Sequence, residues 1–293
     1  MQTRIVLAGA DGQLGRSLQA AVPEGVQLVA LSRGQLDITD PGAVAACVRQ
    51  HTPRWVINAA AYTAVDRAEE EVHLAMAVNA EGPGNLAAAC AAAGARLIQV
   101  STDFVFDGAR STPYPPGAPT APLGAYGRSK LVGEQAVQAA LPEAVILRTG
   151  WVYSRFGGNF VKTMLRLMAE RDQLTVVDDQ VGTPTWAQGL AQAIWSAIAR
   201  AVPGGVYHWS DAGVCSWYDF AQAIAEEGHA LGLLPRTLAL RPIPASDYPT
   251  PARRPAFSVL DKRTTWAALE LTPLHWREQL RRMLLDYKDN PDG

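Results

Sequence analysis

Arg4-Ile5-Val6-Leu7-Ala8, running straight into Gly9-Ala10-Asp11-Gly12-Gln13-Leu14-Gly15, is the stretch whose reading decides how this chain folds. After Arg4 the run is apolar and partly β-branched, which suits a strand covered on both faces. Past the glycines, Leu14, Leu18, Ala21 and Val22 recur at helical spacing. Strand, glycine turn and helix in that order form the context in which such glycines point to a nucleotide. Gly9 permits the tight turn, Gly12 lets backbone amides approach a pyrophosphate, and Gly15 lets the helix pack closely on the strand. The helix start adds unpaired N–H donors and a favourable dipole for the anion. The spacing is GxxGxxG, not the GxGxxG of many dehydrogenases, and a plain turn is the bland alternative.

Outward from this turn, strand and helix patterns alternate. Val26 to Leu31 reads as a second strand ending at Ser32-Arg33. An acidic residue there would bind the adenosine ribose, whereas an arginine suits a 2′-phosphate, so Arg33 favours NADPH over NADH. Asp40-Pro41 reads as N-cap and first residue of a helix, and Trp55 to Asn58 as a third strand running into the small residues Ala59, Ala60 and Ala61. A helical region from Val72 to Ala93 is expected to break around Gly82-Pro83-Gly84. A fourth strand, Leu97 to Val100, delivers Ser101-Thr102-Asp103 to its carboxyl end, where ligands of open parallel sheets sit. A long loop rich in Pro and Gly, Asp107 to Gly124, leads to a helix carrying Tyr126 and Lys130, followed by a fifth strand at Ala144 to Arg148. The pattern predicts an α/β protein with a Rossmann-type doubly wound parallel sheet.

Beyond Trp151 the regularity loosens. Helices are expected at Phe160–Glu170, Trp186–Ala201, Trp217–Glu227 and Leu274–Tyr287, with short strands at Leu174–Val177, Gly205–His208 and Thr237–Leu240. Pro242 to Pro255 reads as an irregular crossing loop, and the tail from Lys288 as frayed. The expected division is a dinucleotide-binding domain over residues 1–150, joined by parts of 178–205 and 235–260, and a smaller mixed α/β substrate-binding domain over 151–293.

A net charge of -2 on 293 residues argues against nucleic acid as a partner. No window is apolar over the length a membrane span needs, and the N-terminus has no secretory pattern, so a soluble cytoplasmic protein is expected. Three scattered cysteines, Cys47, Cys90 and Cys215, make neither a disulfide framework nor a metal cluster.

Tyr126 and Lys130 are one helical turn apart and can share a site. A phenol titrates near pH ~10, and an ammonium beside it would draw that value towards neutrality, where it could exchange a proton with a carbonyl oxygen. Such pairs also occur on ordinary helices, so the pair counts only with the glycine turn.

With these pieces placed, the sequence resembles the extended short-chain dehydrogenase/reductases and, among them, the dTDP-4-dehydrorhamnose reductase family. The resemblance covers nearly the whole chain. It rests on Gly9 to Gly15, Asn58 to Asp66, Ser101-Thr102-Asp103-Phe104-Val105-Phe106-Asp107-Gly108, Tyr126 to Glu134, Arg148 to Tyr153, Asp179 to Thr185, and Tyr248 to Pro255. It implies reduction of the C4 keto group of a dTDP-sugar by NADPH or NADH. Tyr126, Lys130 and Thr102 would be catalytic. Gly9, Asp11, Gly12, Gln13, Leu14, Gly15, Arg33, Asp37, Ile38, Ala59, Ala60, Ala61, Tyr62, Thr63 and Val100, with Tyr126 and Lys130, would hold the cofactor. Thr102, Asp103, Trp151, Asn159 and Arg254 would meet the substrate.

Related dehydratases carry an acid and a carboxylate directly after the threonine; here Asp103 is followed by Phe104, which argues against dehydration. Some members bridge a dimer with Mg²⁺ through glutamates, but the matching positions are Ser17 and Gln188. Magnesium wants carboxylate oxygens, so no metal site is expected and a homodimer would form, if at all, without that bridge. Two rival readings stay open at this point: another nucleotide-sugar ketoreductase or epimerase, and a non-catalytic reductase-like regulatory subunit.

Overall fold

The computed structural model describes residues 2–236, 238–272 and 274–290. Its first half alternates as the sequence reads: β1 (Thr3–Ala8), α1 (Gln13–Ala20), β2 (Val26–Leu31), α2 (Pro41–His51), β3 (Trp55–Asn58), α3 (Val72–Met76), α4 (Gly82–Ala93), β4 (Arg96–Thr102), α5 (Ala125–Ala140) and β5 (Val145–Thr149). Side-chain alternation splits each strand between two cores. Ile5, Leu7, Trp55, Ile57, Ile98, Val145 and Leu147 pack with Leu14 and Leu18 of α1. Val6, Ala8, Val56, Leu97 and Ile146 pack with Val44 of α2, Leu86 of α4 and Val137 of α5. Both faces are covered, which is why these strands print as continuous apolar runs.

The helix from residue 72 to 93 departs from expectation. It does not break at Gly82-Pro83-Gly84; a π turn at Ala77–Glu81 joins α3 to α4, and α4 begins on Gly82. Pro83 has no N–H to give the Asn79 carbonyl, so the ladder widens just before it. That carbonyl turns to α5, where a Cβ at Gly133 would lie 2.0 Å from it. Gly82 itself is a close approach: its Cβ would fall 2.6 Å from Ile38 Cδ1.

The second half adds β6 (Val152–Tyr153), α6 (Phe160–Glu170), β7 (Gln173–Val177), β8 (Val181–Gly182), β9 (Thr185–Trp186), α7 (Ala187–Ala199), β10 (Gly205–His208), β11 (Cys215–Ser216), α8 (Trp217–Ala230), β12 (Ala239–Ile243), α9 (Arg263–Leu269) and α10 (Trp276–Asp289). β10 returns to the large sheet beside β5, giving six parallel strands in the order β10-β5-β4-β3-β1-β2. Helix α7 covers the same face as α1, through Leu190, Ile194 and Trp195. α6, α8 and α10 enclose a separate core that includes Met164, Leu165, Phe220, Ile224, Leu280 and Met283. β12 pairs with β7 and runs through Pro242, which the sequence assigns to a loop. This is a two-stranded sheet, where an edge position tolerates a residue without a ladder donor. Thr237, expected to open that strand, lies outside the described residues. Helix α10 continues to Asp289, past the expected fraying point. Among the described residues no helix is long and apolar enough to cross a membrane.

Strand order reverses between β1 and β3. In open parallel sheets that reversal leaves a crevice at the carboxyl ends, and here the glycine turn and Ala59-Ala60-Ala61 meet across it.

Candidate active site

The carboxyl ends of β1, β3, β4 and β5 open into a cleft of about 670 Å³. At one end, Gly9 takes φ +84°, and a Cβ there would sit 2.5 Å from Ala60 N. A Cβ on Gly15 would lie 2.1 Å from Gly9 O. Both glycines are therefore demanded by packing behind the cleft. Gly12 differs: an added Cβ would meet only Gly9 O, at 3.5 Å, and otherwise points into open space. Gly12 is the N-cap of α1 and gives its first-turn amides no side-chain partner. A helix start left uncapped beside a cradle that one methyl would fill fits a dinucleotide pyrophosphate.

The opposite wall is Ala59, Ala60, Ala61 and Thr63. Asn58 fixes it, accepting the Ala60 N–H at 3.1 Å while donating to Gln99 at 2.8 Å. Of the cofactor residues expected from the sequence, Asp11, Gly12, Gln13, Leu14, Ala59, Ala60, Ala61, Thr63, Val100, Tyr126 and Lys130 line the cleft; Gly9 and Gly15 support it from behind. Arg33, Asp37, Ile38 and Tyr62 lie outside the lining. Arg33 is exposed just past β2. Asp37 is held below the usual carboxylate range by the N–H and then the hydroxyl of Thr39, with Arg33's charge helping. The Ile38 side chain is buried in the core against Gly82. The Tyr62 hydroxyl donates to Glu71 at 2.6 Å, which ties it to the following turn.

Tyr126 and Lys130 occupy the middle of the cleft with Thr102. Two successive residues of β4 hold two rungs of α5, and a third faces Tyr126. Val100 O accepts from Lys130 Nζ at 2.7 Å and the Ser101 hydroxyl donates to Glu134, while the Thr102 hydroxyl, beside the Tyr126 phenol, donates to Asp103 at 3.1 Å. Glu134 is itself clamped by the Arg148 guanidinium, at 2.6 and 2.9 Å. Burial pushes the Tyr126 phenol up to about 12; the Thr102 hydrogen bond opposes this and the charge of Asp103 reinforces it. Burial also pulls the Lys130 ammonium down to about 8, against the charge of Glu134. Desolvation, and not the ammonium expected to ease the phenol, sets its value, and that ammonium is engaged by Val100. Asp103 is fully buried and raised to about 6, desolvation exceeding the pull of the Ser258 and Thr102 hydroxyls.

Beyond Tyr126 the cleft becomes aromatic. Trp151 has φ +51°, a left-handed backbone rare for a bulky residue. Its ring lies between Gly182, where a Cβ would come within 2.6 Å, and the Trp217 ring, stacked at 3.5 Å and 5°. Asn159 caps α6 and also donates to Gln13 Oε1 at 3.0 Å, as does Ser154, so the glycine turn is tied to the second half of the chain. Arg254 borders both the cleft and a second hollow of about 590 Å³, and Phe160 and Trp217 stand at the same junction. All five residues expected to meet the substrate thus line one cleft. Ser17 and Gln188 share a separate hollow with Arg155 and Asp286.

Residues 3–289 match the family described as RmlD substrate binding domain. The chain is 48% identical over 288 residues to the dTDP-4-dehydrorhamnose reductase of Mycobacterium tuberculosis (strain CDC 1551 / Oshkosh), covering 96% of this chain and 92% of that protein. It belongs to this reductase family. A Streptomyces griseus protein of the same name is 45% identical, covering 94% and 91% of the two chains. The crystal structure of a Bacillus anthracis str. Ames member in complex with NADP superposes with a TM-score of 0.93 at 36% identity, over 98% of this chain and 100% of that one.

Sequence reasoning overlooked Trp217, Phe160 and Asn79. Trp217 only heads a helix, and nothing local marks it as the stacking partner of a residue 66 positions earlier. Asn79 is buried in the π turn, where its side chain holds the Tyr62 backbone and Ser129 of α5. A Pro four residues after it was the available signal, since such a turn often marks a functional helix.

Proposed function

We propose that the protein reduces the C4 keto group of dTDP-4-dehydro-L-rhamnose to give dTDP-L-rhamnose, with NADPH as reductant. The observation that carries this is the placing of Tyr126, Lys130 and Thr102 in the same cleft as the uncapped amides of α1. When bound, NADPH would supply the hydride that reduces C4. Tyr126 gives its phenolic proton to the C4 oxygen, which balances the added hydride as an alcohol. Thr102 donates a hydrogen bond to the same oxygen, and Lys130 holds the nicotinamide ribose and keeps a positive charge beside the phenolate left behind. Arg33 takes the 2′-phosphate that distinguishes NADPH from NADH.

On this reading Trp151 and Asp103 present the sugar, while Asn159 keeps Gln13 and the glycine turn in register with it. Arg254 sits where a sugar nucleotide passing from the cleft into the second hollow would carry its diphosphate. A dinucleotide domain around the six-stranded sheet and a substrate domain around α6, α8 and α10, with their own core, accord with this reading. The setting is cytoplasmic, with no nucleic-acid or membrane partner. Any homodimer forms without a Mg²⁺ bridge, since Ser17 and Gln188 offer no carboxylate.

The test is the loss of NADPH absorbance on mixing the protein with dTDP-4-dehydrorhamnose. Turnover is expected. Tight NADPH binding without turnover would instead support a regulatory subunit, and NAD retained through purification would support an epimerase.

A further inference from the structure

The short turn after β3 holds three residues that lie in or beside the cleft. Arg67–Glu69 is a single 3-10 turn between Asp66 and Glu70. Asp66 accepts from the Arg254 guanidinium at 2.7 Å and from the Ala252 N–H at 3.3 Å. Glu69 Oε1 accepts the N–H of Ala125, the first residue of α5, at 2.7 Å. Glu71 takes the Tyr62 hydroxyl next to Ala61 and Thr63 of the cleft wall.

Helix α5 needs this outside help. Its N-cap, Gly124, has no side chain to offer, and the preceding loop is long and rich in Pro and Gly. A Cβ on residue 124 would lie 2.6 Å from Glu69 Oε1, so the glycine makes room for a carboxylate from elsewhere in the chain. That carboxylate also has the sign a helix N-terminus favours. Tyr126 is the second residue of α5, in the turn that frays first when a cap is lost.

The geometry points to Asp66 and Glu69 as positioning residues with separable outputs: Glu69 fixes the first turn of α5 and so the Tyr126 phenol, and Asp66 fixes Arg254 and so the sugar nucleotide. This inference rests on the reductase reading above. Neither residue lines the cleft. Each acts through the residue it holds.

The experiment compares Glu69→Ala, Glu69→Gln and Asp66→Ala with the wild type. Glu69→Ala should lower kcat about ten-fold, the scale of a lost cap, with KM for the sugar nucleotide and Kd for NADPH within about two-fold of wild type. Glu69→Gln keeps an acceptor for the Ala125 N–H and should recover kcat to within about three-fold. Asp66→Ala should raise KM for the sugar nucleotide about ten-fold and leave kcat within about two-fold. Hydrogen exchange at the Ala125 and Tyr126 amides should quicken in Glu69→Ala and stay at the wild-type rate in Asp66→Ala. Unchanged kcat and exchange in Glu69→Ala would overturn the inference, and so would kcat and KM moving together in both variants. Wild-type turnover tests the reductase reading by itself, and amide exchange decides the Glu69 half even if that turnover is absent.

Discussion

Two alanine substitutions three residues apart separate the ligand-binding and packing roles of the glycine turn. At Gly12 the backbone has φ -71° and ψ 166°, which alanine adopts freely. Its new Cβ would make ordinary contact with Gly9 O at 3.5 Å. Stability should fall by less than about 1 kcal/mol, the gap between glycine and alanine as an N-cap. That corresponds to a Tm shift of roughly 2–4 °C for a chain somewhat smaller than this one. The methyl nevertheless stands over the first-turn amides of α1, where the proposed pyrophosphate lies. Losing one charge-assisted hydrogen bond there costs about 1.5–3 kcal/mol, so Kd for NADPH should rise roughly ten- to hundred-fold. Gly15→Ala should behave in the opposite way. Its Cβ would come 2.1 Å from Gly9 O and 2.7 Å from Ala10 O, both backbone atoms that must move. Overpacking of this kind costs about 1–3 kcal/mol or more, offset by only about 1 kcal/mol from alanine's helix propensity. Tm should therefore drop by several degrees before any nucleotide is added. Fluorescence titration with NADPH and thermal unfolding of the ligand-free protein read the two effects separately. If Gly12→Ala binds NADPH within two-fold of wild type, the pyrophosphate does not lie over this turn and the cofactor placement is wrong.

Tyr126→Phe should cut reduction by about 10²–10⁴-fold while NADPH affinity stays within a few-fold; near-normal turnover would remove the phenol from the mechanism. Activity should fall as pH rises past about 8, where the buried Lys130 ammonium loses its proton. Because the charge of Glu134 raises that value, Glu134→Gln should move the falling limb to lower pH, and an unmoved limb in the pH–rate profile would contradict the assignment. EDTA should leave both activity and elution volume unchanged, given Ser17 and Gln188; dissociation of a dimer on chelation would count against this.

Much of the sheet was legible in the sequence because parallel strands covered on both faces leave apolar runs, as Ile5 to Ala8 and Trp55 to Ile57 do. Asp40-Pro41 read correctly as a helix start because cap and first turn are neighbours in sequence: Asp40 Oδ1 accepts the Gly42 and Ala43 N–H groups at 2.8 and 3.0 Å. The cap of α5 was illegible for the opposite reason, since Glu69 and Ala125 are 56 residues apart. Gly82-Pro83-Gly84 misled because glycine and proline there serve helix packing, against Ile38 and α5, and not chain reversal. Side-chain direction was lost too. Ile38 and Tyr62 sit in the segments expected to bind the cofactor, yet one enters the core and the other reaches Glu71.

The pair at the centre of the cleft also carries an argument about protonation state that its spacing alone does not contain. Spacing suggests a phenol eased towards neutrality, which would serve oxidation and reduction alike. Burial instead holds Tyr126 at about 12, so at neutral pH it is protonated in nearly every molecule. Ketone reduction needs that state, because the oxygen at C4 becomes alkoxide-like as hydride arrives and is a stronger base than a phenolate. The proton then moves downhill. Alcohol oxidation would have to start from the phenolate, present in roughly one molecule in 10⁵ at pH 7 for a group titrating near 12. Asp103 widens that bias by its charge and Thr102 narrows it by its hydrogen bond. Removing the Asp103 charge should therefore lower the phenol's pKa and move the phenolate-dependent limb of the pH–rate profile to lower pH, which ties the protonation state at the centre of the cleft to a buried carboxyl one residue from the threonine.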